Sequence, residues 1–245
     1  MNDKVAPLLK PRSDLGIRTL SSVAMMSVAI VAIWLGGYAF MALVIAVGLG
    51  VFFEFTKLVF GFAHSPMARI LWLLGGLTYV GLACFTLMLF SAPFFGMTPA
   101  ILLIAGVIGT DVGAYFAGRS IGGPKIAPRI SPSKTWSGLF GGMMGAGLMM
   151  VFIQAGIYAF RGGNAGDGDV YLAYGWFRLM LTGAALAVVA QMGDFFESWM
   201  KRRAGVKDSG RLIPGHGGLF DRTDGLIAVA FAAGVVTLFQ SVAGS

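Results

Sequence analysis

A stripe of polar side chains in one apolar segment is the first candidate for chemistry. Its members are Gln191, Asp194, Glu197, Ser198 and Lys201. Their spacings of three, three, one and three residues place them on one face of a helix. Inside a membrane-spanning helix such a face must contact protein or water, because charged groups are costly in lipid. The stripe therefore predicts a polar site at membrane depth.

A second acidic pair stands at the start of the next apolar segment. Asp221 and Asp224 are three residues apart, and we predict that they face the same pocket as Asp194. Oxygen ligands from two helix ends suit Mg²⁺, which binds through one or two carboxylates plus substrate phosphates. We therefore predict a Mg²⁺ site at Asp194, Asp221 and Asp224, with room for a second ion. The alternative is that the pair at 221 and 224 only caps a helix.

A basic, glycine- and proline-rich loop lies between two other apolar segments. Ser133, Lys134 and Thr135 offer hydroxyls, a positive charge and backbone N–H groups that suit phosphate oxygens. Asp111 precedes this loop inside the apolar run and is predicted to face the polar site. Two alternatives stay open: the loop is only a basic cytoplasmic loop, and Asp111 is only an ion-pair partner of Arg119.

Composition identifies the elements that must position these groups. Of the 245 residues, 57% are hydrophobic and 12% charged, against about 25% charged residues in soluble domains. With a mean hydropathy of +0.80, a soluble globular fold is excluded. We predict an all-α, polytopic helical transmembrane bundle forming a single domain over 1–245. Its seven predicted spans are about 18–36, 38–56, 69–91, 98–118, 137–160, 175–200 and 224–243.

The distribution of basic residues predicts the orientation of the bundle. With a cytoplasmic N-terminus, every one of the 18 Lys and Arg residues except Arg161 and Arg178 lies on the cytoplasmic side. The prediction is a multi-pass protein of the inner membrane whose site faces the cytoplasm. Such basic blocks indicate topology rather than nucleic-acid binding. The glycine-rich segment 161–175 is predicted to be a plain external loop.

His216 lies in the sequence PGHGG, between glycines that allow close approach to a ligand. No second His or Cys lies nearby to complete a zinc site. A structural role and a substrate-binding role both stay open for this histidine. Together, carboxylates at membrane depth and cations beside them suit a reaction between a lipid phosphate and a polyphosphate.

The charged segment 198–224 resembles the signature of the phosphatidate cytidylyltransferases, also called CDP-diacylglycerol synthases. The matching positions are Ser198, Lys201, Arg202, Lys207, Asp208, Gly210, Ile213, Pro214, His216, Gly217, Gly218, Asp221, Arg222, Thr223 and Asp224. A second cytoplasmic segment also resembles this family. Its matching positions are Asp111, Tyr115, Gly118, Arg119, Ser131, Pro132, Lys134, Thr135 and Gly138. Residues 1–95 carry no such match, and their role is unassigned, whereas 96–245 hold the predicted catalytic spans and loops.

The resemblance implies that CTP reacts with phosphatidic acid to give CDP-diacylglycerol and pyrophosphate, with Mg²⁺, at the cytoplasmic face. It implies a catalytic set of Asp194, Ser198, Lys201, Arg202, Lys207, Asp208, His216, Asp221, Arg222 and Asp224. It implies a substrate-binding set of Asp111, Tyr115, Arg119, Ser133, Lys134 and Thr135. A homodimer packed through the spans stays open.

Two rival functions remain. A cation-coupled transporter also places acidic groups inside helices, but the first 95 residues offer only Glu54 at depth, without the paired repeats of many transporters. A CTP-dependent lipid kinase would transfer the γ-phosphoryl group to an alcohol and would need a base such as Glu197.

Overall fold

A computed structural model describes residues 13–160 and 165–244 of the chain. Within these ranges lie seven α-helices: α1 (Ser13–Leu35), α2 (Gly37–Phe62), α3 (Pro66–Leu89), α4 (Thr98–Ser120), α5 (Trp136–Phe160), α6 (Ala165–Arg203) and α7 (Phe220–Ala243). Each contains a segment long and apolar enough to cross a membrane. The predicted all-α fold with seven spans is confirmed.

Two helix boundaries differ from the prediction in ways that matter for the site. Helix α7 begins at Phe220, so Asp221 and Asp224 lie in its first two turns. Helix α6 begins at Ala165, so the prediction of a plain loop over 161–175 is wrong from that residue onward. A helix tolerates glycine at a cost of about 1 kcal/mol relative to alanine, so the glycines did not end it. Residues 161–164 lie outside the described ranges.

Helices α4 and α5 approach closely through glycines spaced four residues apart on each helix. Gly109 and Gly113 of α4 face Gly141 and Gly145 of α5, and a Cβ on Gly109 would lie only 2.5 Å from the Gly145 carbonyl oxygen. Small residues at this spacing let two membrane helices pack backbone against backbone. This contact fixes the position of α4, which carries Asp111, against the start of α5.

A second close contact joins α6 to α7. A Cβ on Gly193 would lie 2.7 Å from the Asp224 carbonyl oxygen and 2.5 Å from Cβ of Ala228. Only glycine allows the two backbones to come this close. The contact brings the helical turn that carries Asp194 beside the turn that carries Asp224.

The basic loop between α4 and α5 forms a short antiparallel hairpin of β1 (Lys125–Ala127) and β2 (Ser131–Thr135). Thr135 Oγ1 accepts a hydrogen bond of 3.1 Å from the Gly138 N–H, which caps the start of α5. Ser137 Oγ donates to the Gly122 carbonyl on the other side of the hairpin. These bonds hold the end of β2, and therefore Lys134, between α4 and α5.

Helices α2 and α3 pack on α6 and α7 through a cluster of aromatic rings. The Phe55 ring of α2 lies against Gly76 of α3 and stacks at a tilt on Phe220 of α7, with 6.2 Å between ring centroids. Trp72 of α3 packs on Trp199 of α6 at 5.7 Å. The start of α7 is therefore held by α2 and α3 as well as by its neighbour α6.

A polar cavity at the ends of four spans

Two polar cavities share several lining residues where α4, α6, α7 and the hairpin meet. The large cavity, of about 340 Å³, is lined by Asp111, Ala114, Tyr115, Gly118, Arg119, Ser133, Lys134, Thr135, Gly138 and Gln191. The small cavity, of about 30 Å³, shares Asp111, Ala114, Lys134 and Gln191 with it and adds Asp194, Arg222 and Asp224 among its lining. The structure thus brings together all six predicted substrate-binding residues with two of the three predicted metal ligands.

Asp194 is held in place by two side chains. The Lys134 ammonium at the end of β2 forms an ion pair with Asp194 Oδ2. Ser198, one turn further along α6, donates a hydrogen bond of 3.3 Å to Oδ1. The ion pair joins the hairpin to the polar face of α6, so a basic residue of one segment meets an acidic residue of the other.

Asp224 and Asp111 face the small cavity from opposite helices. Asp224 Oδ1 accepts a hydrogen bond of 2.8 Å from the N–H of Gly225. Carboxylates this close repel one another unless a cation or a proton lies between them. Lys134 and Arg222 supply positive charge at the same cavity.

Asp221 has a different environment, although it lies only three residues before Asp224. Its Oδ1 is 2.7 Å from Lys201 Nζ, and its Oδ2 accepts N–H bonds from Ser209 (2.9 Å) and Gly218 (2.8 Å). Lys201 also pairs with Glu197, at 2.5 Å. Asp221 lines neither polar cavity. Its oxygens are used to tie the loop between α6 and α7 to the start of α7.

The three predicted metal ligands are therefore not gathered around one point. Among the residues that the structure describes, no group of three or more His, Cys, Asp and Glu side chains is arranged to hold a metal ion. Asp194 and Asp224 share the small cavity, whereas the loop amides draw Asp221 away from it. Spacing along α7 could not reveal this, because both amides lie in the loop before the helix, and that of Ser209 is twelve residues away in sequence.

His216 is bound to the first helix. Ser21 Oγ lies 2.8 Å from Nδ1 of the imidazole, and Ser22 Oγ lies 2.9 Å from Nε2. Ser21 Oγ is also 3.0 Å from the Pro214 carbonyl. Both ring nitrogens thus have partners on α1, and the loop that contains His216 is attached to the N-terminal half of the chain.

The remaining predicted residues lie at or near the exposed rim. Arg202, Lys207 and Asp208 are exposed. Arg222 is exposed too, and its Nη2 donates a hydrogen bond of 3.0 Å to the His216 carbonyl. Arg119 Nη1 donates to the Tyr115 hydroxyl at 2.9 Å, one turn along α4. No contact with Asp111 is needed to explain Arg119.

The sequence interpretation missed the part that the N-terminal helices play. Glu54 of α2 is fully buried and accepts hydrogen bonds from Ser209 and Phe220. An isolated carboxylate in an apolar span was the available signal, since such a group is costly unless it has partners. Ser21 and Ser22 gave no signal, because single serines are common in membrane helices.

Seven membrane-length helices, with carboxylates and fixed cations around a polar cavity, define a membrane protein suited to binding anionic groups. The model of the cytidylyltransferase family matches residues 63–240. The chain is 34% identical to the protein named phosphatidate cytidylyltransferase of Brucella suis biovar 1 (strain 1330), and the alignment covers 94% of both chains. It is 36% identical to the protein of the same name from Rickettsia bellii (strain RML369-C), and that alignment covers 90% of both chains. The chain belongs to the cytidylyltransferase family, and the resemblance noted from its sequence is confirmed.

Proposed function

We propose that this protein transfers the cytidylyl group of CTP to phosphatidic acid, giving CDP-diacylglycerol and pyrophosphate for phospholipid biosynthesis. The names of its relatives support the substrates. The observation that carries the proposal is a pair of cavities with common lining residues, where Lys134 and Arg222 lie beside three carboxylates of membrane-length helices, Asp111, Asp194 and Asp224. A lipid phosphate at the end of a span and a nucleotide from water can both reach such a site.

The reaction needs alignment and charge neutralisation more than a strong base. The phosphate monoester of phosphatidic acid has a second pKa of about 6, so it is already an anion near neutral pH. One of its oxygens forms a bond to the α-phosphorus of CTP, and the bond from that phosphorus to the bridging β-oxygen breaks. The electron pair leaves with pyrophosphate, which must be stabilised by positive charge.

The chain offers donors for both substrates. Lys134 and Arg222 line the small cavity and can neutralise phosphate charge on either reactant. Arg119, Ser133 and Thr135 line the large cavity and suit the CTP triphosphate or ribose. Lys201 has a supporting role in this proposal, because it lines neither polar cavity and its ammonium pairs with both Glu197 and Asp221. Phosphate contacts by Arg202 and Lys207 stay predictions.

The residues of the small cavity fit Mg²⁺. Asp194 and Asp224 are hard oxygen donors on one small polar cavity, and Mg²⁺ takes one or two carboxylates and completes its shell with water and substrate phosphates. A cavity of about 30 Å³ has room for little more than an ion and its water. When bound, Mg²⁺ would supply charge neutralisation at the phosphates. Asp111 lies beside the two carboxylates as a further oxygen donor.

The rival lipid-kinase reaction is less well supported. A kinase must deprotonate an alcohol, and Glu197 was the candidate base. Its side chain is 1% exposed and pairs with Lys201, away from the lining of both polar cavities. An acceptor alcohol in either cavity would not contact that carboxylate.

We further propose that the protein is a multi-pass protein of the inner membrane with the cavities at its cytoplasmic end. The ends of α4 and α6 and the starts of α5 and α7 meet there, and these ends join the segments rich in Lys and Arg. The predicted homodimer and the predicted absence of a nucleic-acid partner stay predictions.

Labelled nucleotide distinguishes the two reactions. Purified protein in detergent with phosphatidic acid and Mg²⁺ should move the label of α-³²P-CTP into lipid and the label of γ-³²P-CTP into pyrophosphate. Label from γ-³²P-CTP in lipid, together with free CDP, would overturn the proposal in favour of a kinase. Activity that remains in the Asp194→Asn variant, purified in the same way, measures the contribution of any contaminating host enzyme.

A further inference from the structure

Glu54 lies in α2, in a part of the chain that the family model does not match, because that match begins at residue 63. Its side chain is fully buried. Oε2 accepts a hydrogen bond of 2.8 Å from the Phe220 N–H and one of 3.0 Å from Ser209 Oγ. Within residues 13–160 and 165–244, Oε1 has no hydrogen-bond partner. A carboxylate of the second span thus holds the residue at which α7 begins.

The loop between α6 and α7 is shaped around this carboxylate. A Cβ on Gly210 would lie 2.5 Å from Cδ of Glu54, and a Cβ on Gly218 would lie 2.6 Å from Oε2 and closer still to Oγ of Ser209, which bonds to the same carboxylate. Any larger residue at either position would have to displace Glu54 or the loop. The glycine at 210 therefore lets the loop approach Glu54 closely, and the glycine at 218 leaves room for both Glu54 and Ser209.

Glu54 is connected to Asp221 of α7 through one hydroxyl group. Ser209 Oγ lies 3.0 Å from Glu54 Oε2 and 3.1 Å from Asp221 Oδ2, so its single proton is shared between two carboxylates. The N–H of Ser209 donates to Asp221 as well. The Phe220 ring is fully buried against Phe55, the residue after Glu54. Backbone and ring of the first residue of α7 are thus both held by α2.

We propose that Glu54 is a positioning residue for the active site, which rests on the function proposed above. It fixes the first turn of α7, and this sets the direction in which Asp224, one helical turn later, faces the small cavity. A buried carboxylate costs more than an apolar residue of similar size. Its presence in an apolar span is accounted for by what it holds in place.

Substitutions at Glu54 separate positioning from a general effect on folding. Glu54→Gln keeps an oxygen that can accept both hydrogen bonds, and we expect it to retain at least about a third of wild-type kcat. Glu54→Leu loses both bonds, and we expect kcat to fall about 30-fold or more, while KM for CTP changes less than about threefold. The melting temperature in detergent should stay within a few degrees in both variants.

Thr56→Val is the matched control on the same helix. Thr56 Oγ1 donates only to the Phe52 carbonyl within α2, so we expect this variant to match wild-type kcat. The proposal would be overturned if the Gln and Leu variants lost kcat equally and both also had lowered melting temperatures, because the loss would then reflect folding. A folded Leu variant with wild-type kcat would also overturn it. If the Leu variant does not fold, Ser209→Ala tests the proposal instead, because it removes the hydroxyl between Glu54 and Asp221. A fall in kcat of less than about threefold would then contradict the proposal.

Hydrogen–deuterium exchange tests the positioning without any enzyme assay. The amides of Ser209, Gly218 and Phe220 should exchange at least about tenfold faster in Glu54→Leu than in the wild type and in Thr56→Val. Unchanged exchange would overturn the positioning role. If exchange is faster in Glu54→Leu but the wild-type protein makes no CDP-lipid, the positioning role of Glu54 stands and the function proposed above is rejected.

Discussion

Two groups of acidic residues lie near the start of α7, and they use their oxygens differently. Asp194 and Asp224 line a polar cavity with Lys134 and Arg222. Asp221 and Glu54 instead accept hydrogen bonds from Ser209, Gly218 and Phe220 and line neither polar cavity. The first group faces space that a ligand can enter, whereas the second holds the chain in position.

This difference distinguishes carboxylates that can bind a ligand from carboxylates that hold the structure in place. Asp221 accepts three protein hydrogen bonds and an ion pair, which leaves few lone pairs for a metal ion, and Glu54 is buried away from both cavities. A carboxylate that faces a small cavity with one or two protein partners retains them. We therefore propose that the cavity group binds Mg²⁺ and that the other group gives structural support, and four experiments test this division.

Removal of Mg²⁺ should have the largest effect. With excess chelator we expect turnover to fall at least about 1,000-fold, since the metal's charge stabilises the transferring group. Added Mg²⁺ should also raise the melting temperature of the wild type, because a ligand of the folded state stabilises it. That rise should persist in Asp221→Asn and disappear in Asp194→Asn. Persistence in both variants would break the division between the groups.

Asp194→Asn should lower kcat/KM by about 100- to 1,000-fold without loss of stability. It removes a carboxylate charge that we propose holds Mg²⁺ beside the reacting phosphates. Ser198→Ala is the comparison, since it removes only the 3.3 Å bond to the same carboxylate, and a loss below about tenfold is expected. Steady-state kinetics and melting in detergent measure both. Wild-type activity of Asp194→Asn would remove the cavity from the mechanism.

Sequence reasoning found Asp194, Asp221 and Asp224 but could not separate them into two groups, and it missed the supporting role of Glu54. Helical periodicity placed Asp194 on a polar face, and the apolar runs gave the seven spans, because both depend on local sequence. The separation depends on where α7 begins, and Glu54 sets that point from more than 150 residues away in sequence. Contacts of that range leave no periodic signal. The hairpin that carries Lys134 was likewise interpreted only as a loop.

Asp221→Asn should reduce kcat by about 30-fold and lower the melting temperature as well. It removes one charge from a partly buried ion pair with Lys201, and breaking a buried pair leaves the partner uncompensated. The double variant Asp221→Asn/Lys201→Met should recover part of the lost stability but not the activity. A fully stable, inactive Asp221→Asn protein would instead assign this residue to the cavity group.

The smallest effect is expected at the contact between α1 and His216. Ser21→Ala/Ser22→Ala removes both hydrogen bonds to the imidazole, yet Arg222 still donates to the His216 carbonyl and Glu54 still holds the start of α7. We expect kcat to fall about threefold with little change in KM for CTP, since neither serine lines a polar cavity. Ser27→Ala on the same helix is the matched control. A loss of 100-fold or more would place His216 among the groups that act on substrate, because a support contact at the rim cannot account for a change of that size.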